Sequence, residues 1–286
     1  MKRSRLGRLE RAALAGDPEA QFRLGVCYQN GDGVKQDFRA AFRWFVRAAQ
    51  RGQANALLNA GIYSLDGVGT SLNLKRAVNW FREAVRKGNA GAKYSLARCH
   101  YLGLGVRRDP KLASRLLKEA AEAGDRTARF WYGRCLIVGD GFRKDPPRGF
   151  QWAMKAARQG QVAAMTGVGY SYEYGIGVRK DLSAAFRWYL RAARKGDVDA
   201  QGYVGDMYRD GAGTRRSYRE ALHWLRKSAR QGDSYSQLCL GIMYWNGEGV
   251  RHNPRMAVKW YSLAADAGEE QAMYNLFRCC ADGVEL

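Results

Sequence analysis

Residues 31–37 read GDGVKQD. Two glycines one residue apart can turn backbone N–H groups toward an anion, so the stretch has the residue types of a phosphate cradle. The phrase returns as GVGTSLN at 67–73, GLGVRRD at 103–109, GDGFRKD at 139–145, GIGVRKD at 175–181, GAGTRRS at 211–217 and GEGVRHN at 247–253, always 36 residues on. A phosphate loop is needed once or twice, whereas a turn found in every unit belongs to the scaffold. What varies within the turn is a basic pair: Arg107-Arg108, Arg143-Lys144, Arg179-Lys180, Arg215-Arg216 and Arg251-His252. Periodicity should align these as a basic edge with a salt-dependent hold on an acidic partner.

A second set of candidate contacts lies on the helix before each turn. Trp131, Tyr170, Tyr174 and Tyr203 break the small or polar habit of their positions in adjacent units, and Arg98 and Arg134 share the repeat position of Tyr170. Aromatic rings in a groove are typical binding anchors, and arginine offers a forked donor to a carboxylate. Catalytic chemistry is harder to assemble. His100, His223 and His252 are scattered through the repeat order, and neither a nucleophile elbow nor metal-spaced histidines are visible. Cys27, Cys99, Cys135 and Cys279 occupy one repeat position and read as small fillers of equivalent sites. The expectation is a non-enzyme with no cofactor.

A formal charge of +21, from 48 Lys and Arg against 27 Asp and Glu, predicts attraction to acidic partners. An acidic protein or peptide is the first expectation. Sequence-nonspecific nucleic-acid binding is the alternative, because basic pairs on loops would contact phosphates without reading bases. The basic start MKRSRLGRLERAALAGD has no apolar h-region and no window approaches a membrane span, so a cytoplasmic location is expected.

Helices must position these residues. Asp17-Pro18 reads as an N-cap and a first helical proline. Ala20, Leu24 and Tyr28 then recur at the spacing of one helical face to about residue 30. The first glycine of each turn should end that helix in the left-handed conformation. Asp37, Asn73, Asp109, Asp145, Asp181, Ser217 and Asn253 should cap the next helix, about 38–51 in the first unit. This second helix carries Trp44-Phe45 between alanines, with the tryptophan recurring at 80, 152, 188, 224 and 260 as a knob between successive hairpins. The fold expected is an all-α, right-handed α–α superhelix, a solenoid of 36-residue antiparallel helical hairpins. Residues 1–15 form a capping helix, and seven repeats cover 16–51, 52–87, 88–123, 124–159, 160–195, 196–231 and 232–267. A partial eighth, 268–286, ends in a helix to about Asp282, all in one continuous domain. Its missing second helix leaves an apolar end near Phe277 that would suit a homodimer.

The unit Ala20, Phe22, Leu24-Gly25, Tyr28, Gly31, Gly33, Asp37, Ala41, Trp44-Phe45, Ala48-Ala49, Gly52 resembles the Sel1-like repeat, a member of the tetratricopeptide-like helical repeats. The resemblance runs from about Gly16 to the end. It implies a scaffold or adaptor that binds proteins or peptides, common in bacterial signalling and regulation and usually without catalysis. The paired cysteines of the family's cysteine-rich branch are not found in this sequence.

Overall fold

The computed structural model describes residues 2–281 and residue 284, without the side chains of residues 2–5. Two compact units divide the chain. Unit 1, Met1–Lys144, holds α1 (Lys2–Leu14), α2 (Pro18–Asn30), α3 (Phe38–Gln50), α4 (Ala54–Asp66), α5 (Leu74–Arg86), α6 (Ala90–Leu102), α7 (Pro110–Glu122) and α8 (Arg126–Val138). Unit 2, Asp145–Leu286, holds α9 (Pro146–Arg158), α10 (Val162–Tyr174), α11 (Leu182–Arg194), α12 (Val198–Asp210), α13 (Tyr218–Ala229), α14 (Ser234–Asn246), α15 (Pro254–Asp266) and α16 (Glu270–Ala281). No strand occurs among the described residues, and the chain is an α-solenoid of 36-residue hairpins, as the period predicts. The expected end of the last helix at Asp282 lies outside the described residues.

Local chemistry sets the helix limits. The Asp37 carboxylate accepts from the N–H groups of Arg39 and Ala40 at 2.8 and 2.9 Å. Each of the other six predicted cap residues likewise accepts from the N–H three residues on. Each such bond satisfies an orphan donor, a contribution of about 0.5–2 kcal/mol per helix at typical caps. The first helices of the repeats are capped too, by Asp17, Asn89, Asp125, Asp197 and Asp233 and by the less conventional Gln53 and Gln161. At the other end Gly31 adopts φ 79°, and its N–H returns to the Cys27 carbonyl at 2.8 Å. The Asp37 N–H then reaches back to the Tyr28 carbonyl at 2.9 Å, which closes the turn.

The second glycine of each turn does more than reverse the chain. A Cβ on Gly69 would run into the Phe38 carbonyl, and one on Gly105, Gly177 or Gly213 would meet the backbone of Leu74, Pro146 or Leu182. Each of these four turns therefore lies directly on the first turn of the second helix in the preceding repeat. Only a residue without a side chain permits that approach.

Within the Trp-aromatic pair the tryptophan is not the deep member: Trp44, Trp80, Trp152, Trp188 and Trp260 are half-buried. Phe45, Phe81, Tyr189 and Leu225 are wholly inaccessible, and Tyr261 is nearly so. Their rings or branches sit against Gly25, Gly61, Gly169, Gly205 and Gly241, where a Cβ would come within about 2.7 Å. The glycines thus give up helix propensity, about 1 kcal/mol each, so that a large side chain can seat against helix backbone. The tryptophans do sit between hairpins, Trp80 on the Ala41–Tyr63 core cluster and Trp260 on the Ala221–Met243 cluster. Their outer faces carry cations: Arg47 over Trp44 at 4.7 Å, Lys155 over Trp152 at 4.4 Å, Arg191 over Trp188 at 4.8 Å. Cys99, Cys135 and Cys279 are buried and Cys27 is half-buried, in keeping with fillers at one repeat position.

Candidate functional site

In unit 1 the first helices of the third and fourth repeats, α6 and α8, open a cleft of about 460 Å³. Tyr94, Arg98, Tyr101 and Leu102 line it from α6, Leu117 from α7, and Trp131, Arg134, Cys135 and Val138 from α8, with Asp140 from the turn that follows. Three predicted contacts, Arg98, Trp131 and Arg134, come together here. The Arg134 guanidinium lies 5.1 Å from the centre of the Trp131 ring, and both arginines are exposed. Burial pushes the Tyr94 hydroxyl above its ordinary range, with Arg98 and a hydrogen bond from Trp131 acting in the opposite sense. Burial also raises the Cys135 thiol to about 11, so the sulfur lines the cleft as a neutral apolar group. Tyr101 donates its hydroxyl to Asp140, which fixes the far wall.

Sequence reasoning missed Tyr94, Tyr101, Leu102, Val138 and Asp140. Leu102 and Val138 did carry a signal, since they replace the polar residues found at this repeat position in Asn30, Asp66 and Asp210, and both are more than half exposed. The apolar rim and forked cations together can hold a segment that carries a carboxylate beside an apolar side chain. α6 and α8 contribute Lys93, Arg98, Arg126, Arg129 and Arg134 and no carboxylate. Unit 1 as a whole holds 28 Lys and Arg against 12 Asp and Glu, net +16, whereas unit 2 holds 20 against 15, net +5.

The remaining predicted anchors lie in unit 2. Tyr170 and Tyr174 are exposed on α10 with ring centres 4.4 Å apart. Tyr203 on α12 is half-buried, its ring 4.8 Å from the core ring of Tyr189, so packing takes part of its surface. His100, singled out by sequence, is buried with Nδ1 lacking a hydrogen-bond partner and does not line the cleft.

The basic pairs are all exposed: Arg107, Arg108, Arg143 and Lys144 in unit 1, and Arg179, Lys180, Arg215, Arg216 and Arg251 in unit 2. The Cβ atoms of Arg108, Lys144, Lys180 and Arg216 sit where a Cβ on the first glycine of their own turn would meet them. Arg108 also donates Nε to the Tyr101 carbonyl at 3.0 Å, at the negative end of α6, where a cation is favoured. Arg108 thus serves the end of α6, and Arg107 is left to project.

Among the described residues no group of His, Cys, Asp and Glu is placed to hold a metal, and no helix is long and apolar enough to cross a membrane.

The Sel1 repeat model matches seven successive segments, 18–53, 54–89, 90–125, 127–161, 162–197, 198–233 and 234–269. Of solved structures, a protective antigen of uropathogenic Escherichia coli with an SLR fold is 31% identical at a TM-score of 0.80, over 95% of this chain and 58% of that one. A Sel1 repeat protein of Oxalobacter formigenes is 29% identical at a TM-score of 0.69, over 74% of this chain and 85% of that one. An immunity protein of Pseudomonas aeruginosa, 18% identical with a TM-score of 0.53 over 74% of this chain and 80% of that one, shares the fold. This chain spans little more than half the length of the Escherichia coli protein. No curated protein matches the sequence.

Proposed function

The chain belongs to the Sel1-repeat family, and from that premise we propose that it is a non-catalytic scaffold or adaptor that holds an acidic protein or peptide. Proteins of this family are generally protein-interaction scaffolds and typically non-catalytic. The observation that carries the finer reading is the α6–α8 cleft, where the exposed guanidinium groups of Arg98 and Arg134 flank an apolar, aromatic-walled space in the more basic unit. The partner segment it fits presents Asp or Glu next to a Leu-like or aromatic side chain. Arg107 and Arg143 at the turns of unit 1, and Arg179, Arg215 and Arg251 at those of unit 2, add charge that speeds encounter and is screened by salt. A cytoplasmic setting is part of the same proposal, and cell fractionation tests it.

The test is anisotropy of a labelled peptide alternating glutamate with leucine and phenylalanine, against wild type and the Arg98→Glu/Arg134→Glu double variant. Losing two charge-assisted contacts of about 1.5–3 kcal/mol each should weaken binding by at least about a hundredfold. Equal affinity for the two proteins would remove the cleft from the account. A random-sequence duplex in the same assay tests the nucleic-acid alternative. Tight duplex binding that strengthens sharply as salt falls, with no peptide binding, would move the function to the basic edge.

Self-association through the last helix is a separate proposal. Met273, Tyr274 and Phe277 of α16 are 47%, 57% and 73% exposed, an apolar surface that a second copy would cover. Sedimentation of Phe277→Asp against wild type decides it, since an unchanged mass would exclude this contact.

A further inference from the structure

The first helices of unit 2 present a chemistry opposite to that of α6 and α8. The charged residues of α10, α12 and α14 are Glu173, Asp199, Asp206, Asp210 and a single cation, Arg209. That cation is consumed locally, 2.6 Å from Asp206 and 3.0 Å from Asp210. In a chain of net charge +21, α10 and α12 therefore carry surplus negative charge, and α14 beside them carries none.

Aromatic rings lie on the same helices. Tyr170, Tyr174 and Tyr235 are 44%, 59% and 39% exposed, and Tyr203 is half-buried beside them. The carboxylates stand close enough to act on the phenols: Glu173, with Asp206 beyond it, raises Tyr174 above its ordinary range. Tyr203 is raised by burial together with Asp199 and Glu173. Asp199 is itself raised, by burial and by the charges of Asp197 and Asp233, which marks negative charge that its own surroundings leave uncompensated. Internal bonds hold the acids in place. Tyr189 donates to Glu173 Oε2 at 2.7 Å, and Tyr235 donates to Asp206 Oδ2 at 3.0 Å.

We propose that the α10–α12–α14 face is a second docking surface, for a protein segment bearing arginine, whose guanidinium lies on the exposed Tyr174 ring and pairs with Glu173. Arginine is the occupant because the site offers both things a planar guanidinium uses, a ring face for stacking and a carboxylate for its fork. A lysine ammonium is a more strongly hydrated point charge and gains less from the stack. The charge complementarity is local: the rest of the surface repels a cationic segment, so recognition depends on these side chains and not on the long-range field. The proposal does not rest on the acidic partner of the α6–α8 cleft.

The test uses the full chain and a labelled peptide of alternating arginine and glycine, read by anisotropy at physiological salt. Wild type should bind it saturably. Tyr174→Ala and Glu173→Gln should each weaken it about two- to fivefold, the range of an exposed cation–π contact or ion pair. Tyr174→Phe, which keeps the ring, should retain binding. Helicity should be unaffected, since the Tyr174 side chain is 59% exposed. No saturable binding by wild type, or Tyr174→Ala binding as wild type does, overturns the proposal. A matched lysine peptide bound as tightly overturns the arginine assignment.

Discussion

Phe45→Ala tests the packing of the whole solenoid through one side chain. The Phe45 ring is wholly inaccessible, in contact with Gly25 and with ring centres 5.9 Å from Phe22 and 5.4 Å from Tyr63. Burying an area of about 200 Å² at about 25 cal/mol per Å² gives roughly 5 kcal/mol as an upper bound. Large-to-small substitutions of buried phenylalanine fall at about 3–5 kcal/mol, so that is the loss expected here. The neighbouring Trp44 is larger, yet half-buried, and its outer face is already stacked by Arg47. Trp44→Ala should cost about 1–2 kcal/mol, because much of its surface never leaves water. Guanidinium unfolding followed by far-ultraviolet circular dichroism measures both. If Trp44→Ala destabilises as much as Phe45→Ala, the assignment of the deep core to the residue after the tryptophan is wrong. A Phe45→Ala change below about 1 kcal/mol would mean that the site collapses around the missing ring, against the packing argued here.

Gly69→Ala should destabilise by about 2 kcal/mol or more, from left-handed strain at φ 65° plus collision with the Phe38 carbonyl. Gly88→Ala, with φ 79° and open space around the new Cβ, should show only the strain, about 1 kcal/mol; paired melts compare them. Maleimide at pH 7 should label exposed Cys280 and spare Cys99 and Cys135, whose thiols burial raises to about 11 and so keeps protonated. Mass spectrometry after limited labelling reads the sites, and early modification of Cys99 would contradict its burial. Reversing the charge of Arg143, Lys144, Arg179 and Lys180 together should weaken the acidic partner with little change in helicity. Arg108→Glu should lower stability more than Arg107→Glu, because Arg108 Nε donates to the Tyr101 carbonyl at the end of α6. Unchanged partner affinity removes the turns from recognition.

The acidic-aromatic face of unit 2 shows why the candidate site was only partly legible. Sequence placed Trp131, Tyr170, Tyr174 and Tyr203 among helix positions that depart from the repeat, and Arg98 and Arg134 beside them. It grouped them as anchors for one acidic partner. Side-chain routes separate them into two chemistries. In α6 and α8 the neighbours are five cations, whereas around Tyr174 they are Glu173 and Asp206. Nothing in a one-dimensional pattern says that Asp206 is close to Tyr174, since they are 32 positions apart and on different helices.

By itself the sequence determined the period, the hairpin, the ends of nearly every helix and the capping residue of each second helix. Those features depend on contacts within a few residues, such as Asp37 with Ala40 or Gly31 with Cys27, and a pattern repeated seven times makes them visible. Tertiary structure decided which member of Trp44-Phe45 is sealed in the core and what the second glycine of each turn lies against. It also decided that Arg108 is tied to the end of α6 while Arg107 projects, and which side chains share a face. Each of those depends on the rotational phase of a helix against its neighbours. A rotation of one residue, about 100°, exchanges the buried and exposed members of an adjacent pair, and only packing across repeats fixes that phase.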